Sequence, residues 1–364
     1  MNKKIAVFFM KQKIILLYAI FLMLNSVCGF SLEIYSKNNI MVNMGLDSEI
    51  YLKQIDSGNQ IRTKILNSED SFVGFDFSVK NKNDSLVKIV TNVYLSNDSQ
   101  DVKKNVDNNL KDMYIDIVKN YNDSNQKQGI NLGKKDLAIY EILIKEVDES
   151  NSVLGSNFLN IDGYKQDNLL GYYFFNKNID FAMEYISYDQ VDEKTEKRYG
   201  HSAVIKIKST YVDVGGGYLF NLYKYTNMEN IITNKNVFLF DGYFKIHGFW
   251  NINFVNNVNL SKGYYYKEDS LGIDSNFNLG LSEVVALELG YRFLTLLDLY
   301  DSVNLKKSKV EKSEIVLGFS FKTNEYFNVF TDFAFDVRSK DDRKNSLYNQ
   351  GKNNIWRIGF KVKF

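Results

Sequence analysis

Cysteine is almost missing from this chain, one in 364 residues, and histidine is hardly commoner, at two. A single cysteine closes no internal disulfide and builds no multi-thiolate metal site, so any fold here stands on packing and hydrogen bonds. Charge of one sign is lacking too: 45 basic residues face 44 acidic ones, which gives no support to nucleic-acid binding. Long apolar runs are confined to the first thirty residues, and a mean hydropathy of -0.29 excludes a polytopic helical transporter. What is abundant is aromatic. There are 27 Phe, 25 Tyr and 2 Trp, set among many Asn and Lys, a composition of strands joined by polar turns. An apolar fraction of 45% excludes a disordered or fibrous chain, and the length admits two ordinary domains or one large all-β domain.

The beginning of the chain points to a compartment. Lys3, Lys4, Lys11 and Lys13 precede an uncharged run from Ile14 to Leu24, and the small-residue site Val27-Cys28-Gly29 follows. This is the order of a secretory signal peptide, with cleavage expected after Gly29 and residues 30–364 as the mature chain. The apolar run is shorter than the roughly 20 residues of a spanning anchor. Leu24 would suit lipid attachment to Cys28, but bulky Val27 stands where a small residue is wanted, so lipidation is the weaker reading. Removing the leader leaves no cysteine and 41 basic against 44 acidic residues, a net charge of -3.

From Gly171 to the end the sequence alternates with period two. Phe327, Val329, Phe333, Phe335 and Val337 share one strand face, with Asn328, Asp332, Asp336 and Arg338 on the other. Leu287, Leu289, Tyr291 and Phe293 alternate with Glu288, Gly290 and Arg292, and Ile315, Leu317, Phe319 and Phe321 with Gly318, Ser320 and Lys322. Such segments have the roughly 9 to 11 residues of a tilted transmembrane strand. Between them, Asn176 to Asn178, Gly215 to Gly217, His247-Gly248, Ser282-Glu283 and Thr323 to Glu325 read as tight turns. Asp189 to Ser202, Thr226 to Asn236, Asp298 to Lys312 and Ser339 to Asn354 read as long polar loops. The alternation of short and long ends holds if Phe249 to Lys267 is one long strand. It predicts an up-and-down barrel with one clipped rim.

In the N-terminal third, Phe72 to Lys80 and Leu86 to Leu95 read as a hairpin, and Ala138 to Val147 as a strand with Tyr140, Ile142 and Ile144 on one face. Asp101 to Tyr121 places Val102, Val106, Leu110, Met113, Tyr114, Ile117 and Val118 at helical spacing and predicts a helical insert that packs on the barrel or covers one end. The expected fold is all-β: a transmembrane antiparallel β-barrel of about 14 to 16 strands, with one short helix in an N-terminal connection.

The last strand carries the family resemblance. Trp356, Ile358, Phe360, Val362 and terminal Phe364 share one face, and Arg357, Gly359, Lys361 and Lys363 the other. This ending resembles the C-terminal signal of bacterial outer-membrane proteins that the barrel-assembly machinery reads. With the Asn, Lys, Ile, Phe and Tyr bias, the strand-rich C-terminal two-thirds resembles a spirochaete-type outer-membrane porin, with the dicarboxylate-selective porins of that group as the analogy within it. No motif fixes the subfamily. The resemblance implies a chain exported to the bacterial outer membrane, in contact with its lipid, with homo-oligomerisation left open.

Enzymatic motifs are not found: there is no G-x-S-x-G, H-E-x-x-H, P-loop or EF-hand loop. His201, at the edge of a predicted loop, and His247, in a tight turn, are expected on opposite rims, so no catalytic site, metal or cofactor is implied. Strand charges are more informative, because a charge facing lipid near the midplane costs roughly 2 to 4 kcal/mol and therefore faces inward. The pore-lining candidates are Lys206, Lys208, Lys245, Arg292, Lys322, Arg338 and Arg357, opposed by Glu184, Glu288, Asp332 and Asp336. Seven bases against four acids predict passive diffusion of small hydrophilic solutes, neutral or anionic, with a modest preference for organic acids. The alternative is a surface barrel whose long loops bind ligands without an open channel. An outer-membrane hydrolase would need a catalytic group that the sequence does not offer.

Overall fold

In the computed structural model the described residues are almost entirely β-strand. The structure describes residues 32–37, 39–56, 61–67, 72–81, 85–94, 110–121, 126–144, 165–187, 189–192, 195–226, 232–248, 252–265, 268–297, 309–322, 327–345 and 354–363. The expected signal segment with Cys28, the expected turn Thr323 to Glu325 and Phe364 lie outside the described residues.

The first strands are β1 (Leu32–Lys37), β2 (Ile40–Asp56), β3 (Ile61–Asn67), β4 (Phe72–Lys80), β5 (Ser85–Tyr94), β6 (Leu110–Tyr121) and β7 (Gln126–Asp136). Next come β8 (Lys165–Phe175), β9 (Ile179–Ile186), β10 (Asp189–Asp192), β11 (Thr195–Ile207), β12 (Val212–Thr226) and β13 (Ile232–His247). The last are β14 (Ile252–Tyr265), β15 (Glu268–Gly280), β16 (Val285–Leu297), β17 (Lys309–Lys322), β18 (Phe327–Asp336) and β19 (Asn354–Lys363). Several are halves of one strand position. β10 and β9 lie end to end along β11, β3 and β4 lie along one edge of β2, and β19 and β1 lie along its other edge. The nineteen segments thus fill sixteen antiparallel positions, and the pairing of β19 with β2 closes the ring. Closure leaves no open sheet edge, and the two chain ends meet within one strand position.

One rim carries the tight turns, and their sequences explain them. Asn176 accepts the N–H groups of Asn178 and Ile179 on its side-chain oxygen, at 2.8 and 2.7 Å, and the Ser282 hydroxyl accepts those of Val284 and Val285. The other rim carries the longer connections, including 95–109, 137–164, 298–308 and 337–353. The last holds a short helix α1 (Lys340–Asn345), whose Ser339 cap accepts the Asp342 N–H at 3.0 Å.

Several expectations are corrected. Residues 110–121 of the predicted helical insert are strand β6, while 101–109 lie outside the described residues. The helical reading grouped Met113 with Tyr114 and Ile117 with Val118, but the strand sends Met113, Ile115 and Ile117 outward and Asp112 and Val118 inward, where β5 and β7 satisfy its backbone. Gly215 to Gly217 is no turn; it lies inside β12. Asp189 to Ser202 is largely strand, because β10 and β11 extend the ladder through it. Ala138 to Ile144 is not a strand but a helical turn that opens into π geometry over Tyr140–Ile144. Among the described residues, the helical turn of an N-terminal connection follows β7, at 138–144. The long single strand expected between Phe249 and Lys267 is present as β14.

Candidate pore interior

Each strand presents two unlike faces. On β16, Leu287, Leu289 and Tyr291 are exposed while Gly290 and Arg292 between them are buried; on β18, Phe333 and Phe335 are exposed while Asp332, Ala334 and Asp336 are buried. In a closed ring the buried polar face is the interior, and the exposed apolar one is the outer wall.

All eleven charged candidates keep the interior parity. Lys206, Lys245, Arg292, Lys322, Arg357, Glu184, Glu288, Asp332 and Asp336 lie on inner strand faces; Lys208 and Arg338 fall just past the ends of β11 and β18, at the turn rim and the loop rim. Register groups them into belts. Asp274, Arg292, Glu314 and Asp336 stand side by side across β15 to β18. A second belt sets Glu288 one strand from Gly318, then Asp332 beside Arg357.

Their engagement differs. Arg338 is fully tied, donating from Nε and Nη2 to Asp336 at 3.0 and 2.8 Å and from Nη1 to the Glu311 carbonyl at 2.8 Å. Arg292, with no exposed side-chain surface, sits 3.6 Å from the Asp274 carboxylate, and Arg357 sits 3.7 Å from Asp332. Lys208 pairs with Asp180 at 2.7 Å.

Sequence reasoning missed Asp76, Asp112, Asp116, Asp180, Asp213, Asp241, Asp274 and Glu314 on the inner face, along with Lys88, Lys127, Lys135, Lys312 and Lys361. The parity that found Arg292 would have found Asp274, which shares the buried face of β15 with Gly272 and Asn276. With eight acids and five bases added, the two lists stand at twelve each among the described residues, with Glu311 buried on β17 besides, so the surplus of basic residues disappears.

The interior also holds a piece of the chain. Leu137, Ile139, Leu143 and Ile144 are buried against Leu169, Val204, Leu219, Leu239 and Tyr243 of the inner wall. Gly215 and Gly217 explain the close approach: a Cβ on Gly215 would stand 2.6 Å from Leu143 Cδ2, and one on Gly217 3.0 Å from Ile139 Cδ1. Glu184 pins the entry of this segment. Both its oxygens accept the Ala138 N–H at 2.9 Å, and one accepts the Ser202 hydroxyl at 2.7 Å. A charged acceptor is thus spent on a helix entry, where backbone N–H groups have no helical partner.

The histidines do not meet. His247 lies at the turn rim with Nε2 3.0 Å from Asp213, whereas His201 is in β11, not at a loop edge, and faces outward between the rings of Tyr218 and Phe220. On β19, Trp356 and Phe360 stack on Phe333 and Phe327 of β18, with Ile358 and Val362 on the same face.

No family model and no curated protein matches the sequence. Solved structures do match. OmpT of Vibrio cholerae superposes with a TM-score of 0.64 at 11% identity, over 91% of this chain and 99% of its own. The outer membrane channel DcaP of Acinetobacter baumannii gives 0.65 at 12% identity, over 93% and 100%. An anion-selective porin from Comamonas acidovorans gives 0.62 at 11% identity, over 89% and 100%. The chain has the fold of the outer-membrane β-barrels. Identity this low carries the architecture and not the role, so what this barrel does has to be argued from its own interior.

Proposed function

We propose that the protein is an outer-membrane porin that lets small hydrophilic solutes diffuse passively across the bilayer. The observation that carries this reading is the closed sixteen-position ring with an apolar outer face and a charged inner face. Such a ring satisfies the backbone in hydrocarbon and offers water and charge within. The inner segment at 137–144 narrows the lumen on the side of β8 to β13, so solutes pass between it and the charged belts of β15 to β19. No energy source, metal or organic cofactor is needed, and no residue is assigned a catalytic role.

The modest preference for organic anions rests on reach rather than on number. The carboxylates Asp112, Asp213, Asp241, Asp274, Asp332 and Asp336 are buried in the wall, whereas Lys127 and Lys322 are exposed on the inner face. Lys206, Arg292, Arg338 and Arg357 are buried as well, and Glu141 of the inner segment is exposed, so the preference rests on Lys127 and Lys322 as exposed bases of the described wall. Dicarboxylates are the narrower form of this preference, and a spirochaete-type origin fits the Asn, Lys, Ile, Phe and Tyr bias. Residues 1–29 act as the cleaved signal peptide, and the outer face of β19 with Phe364 is read by the barrel-assembly machinery. Outer-membrane lipid covers the apolar wall; self-association would use part of that face.

A second reading, a surface barrel that binds ligands without conducting, is favoured by one observation: part of the lumen is filled by the chain itself. Recording from purified protein in a planar bilayer separates the two. Stable ohmic steps support the channel, and a folded barrel without current supports the second reading.

A further inference from the structure

A cavity of about 480 Å³ opens between the inner segment and the wall of β6 to β9, within the roughly 300–1,000 Å³ of small-molecule sites. Its floor is aromatic: Tyr114, Tyr173 and Phe175 line it, with the rings of Tyr173 and Phe175 stacked at 5.0 Å. Gly129 makes room for that floor, since a Cβ there would stand 2.5 Å from the Tyr173 hydroxyl.

The charges around it are unequal in availability. Asp116 accepts the Tyr173 hydroxyl at 2.9 Å, Asp180 holds Lys208 at 2.7 Å, and Glu184 holds Ala138 and Ser202. Glu141, the fourth lining carboxylate, is also engaged. Of the three lining lysines, Lys206 of β11 has its Nζ 4.1 Å from the centre of the Tyr243 ring and is engaged besides, and the other two are held by rings of the floor. Lys127 Nζ rests 5.4 Å from the centre of the Tyr173 ring and Lys135 Nζ 5.2 Å from that of Tyr114, and neither has an ion pair among the described residues. An ammonium over a ring face is held more weakly than one hydrogen-bonded to a carboxylate, so these are the charges that an incoming ion can recruit.

We propose that this cavity is a binding subsite for small organic anions with a flat, apolar body, such as aromatic carboxylates, the body lying on the tyrosine floor and the carboxylate meeting Lys127 or Lys135. The subsite deepens the porin reading, on which its role in passage rests, by naming the class of solute that would pause in the lumen.

Titration calorimetry of the full mature protein, folded in detergent, tests it with three probes: phenylacetate, acetate, which has the charge without the body, and benzylamine, which has the body with the opposite charge. Phenylacetate is expected to bind more tightly than either. The double variant Lys127→Gln/Lys135→Gln is expected to weaken it by about fivefold or more, the scale of one partly exposed ion pair. Met183→Leu, on the exposed outer face of β9 and away from the cavity, is expected to bind like the wild type, and a retained heat-modifiable gel shift shows that the double variant is folded. Equal binding of the three probes, or an unchanged phenylacetate affinity in a folded double variant, would overturn the proposal. Because the titration needs no current, a barrel that binds but does not conduct sinks the channel reading and leaves the subsite. A conducting barrel that ignores the body of the anion sinks the subsite alone.

Discussion

Replacing Glu184 by alanine should loosen the inner segment without unfolding the barrel. The carboxylate serves two donors, the Ala138 N–H at 2.9 Å and the Ser202 hydroxyl at 2.7 Å, inside a wall where Glu184 itself is 4% exposed. Hydrogen bonds to a charged group are worth about 1.5 to 3 kcal/mol each, and the variant leaves the Ala138 N–H without its acceptor, so a loss of roughly 3 to 5 kcal/mol falls on the segment's entry. Against this stand four buried side chains, Leu137, Ile139, Leu143 and Ile144, each contributing about 1.5 to 3 kcal/mol. The apolar anchor therefore outweighs the lost hydrogen bonds, and the segment should stay in the lumen while its first turn opens more often. Planar-bilayer recording should show more current noise and a higher mean conductance than the wild type, with the heat-modifiable gel shift of a folded barrel retained. Glu184→Gln, which keeps one acceptor oxygen, should fall between the two. A folded Glu184→Ala variant with wild-type conductance and noise would refute the assignment of Glu184 as the pin of a lumen segment.

Three further outcomes follow from the two faces. Leu289→Arg, on the exposed apolar face of β16, should cost roughly 2 to 4 kcal/mol if that face meets the bilayer core, read from urea titrations of the barrel in lipid vesicles; an unchanged midpoint would place Leu289 away from the membrane centre. Arg292→Met leaves buried Asp274 without its cation, though Glu314 keeps Lys312 at 3.7 Å, and should destabilise by about 3 to 5 kcal/mol, while Arg292→Lys, which keeps the charge, should lose less; equal losses would show that packing and not charge holds the belt. For export and assembly, membrane-extracted protein should have the mass of a chain starting at Phe30, and deletion of Phe364 should lower outer-membrane insertion while secretion continues. An acylated terminus at Cys28 contradicts the first expectation, and normal surface display of the deletion contradicts the second.

The period-two code made the C-terminal half legible. Strands such as β16, β18 and β19 carry a nearly continuous apolar series on their outer face, so alternation alone located them and turned Arg292, Asp332 and Arg357 inward. The same code misled where the interior is itself apolar. β6 has Val118 and Tyr114 inside and Met113, Ile115 and Ile117 outside, and two partly apolar faces imitate a helix. The triple glycine was misread for a tertiary reason. Its lack of side chains serves the approach of Ile139 and Leu143, a contact made from more than seventy positions away in sequence, which no local rule encodes. The charge balance was misjudged because the inner faces that hold Asp116 and Asp241 also carry apolar residues, Val118 on β6 and Leu239 and Tyr243 on β13, so alternation did not set the carboxylates apart, and Arg338 belongs to a fixed pair with Asp336 rather than to a free wall charge.

Single-channel recording of the wild-type protein in a planar bilayer under a KCl gradient tests the central claim most directly. An open ring with ammonium groups reaching into its lumen should give stable ohmic steps and a reversal potential displaced modestly to the anion side, the more so at low salt, where fixed charges are less screened. A folded barrel that inserts and carries no current would contradict the account of this chain as a channel, and one that conducts with a cation preference would contradict the view that its exposed lysines, rather than its buried wall carboxylates, set the preference.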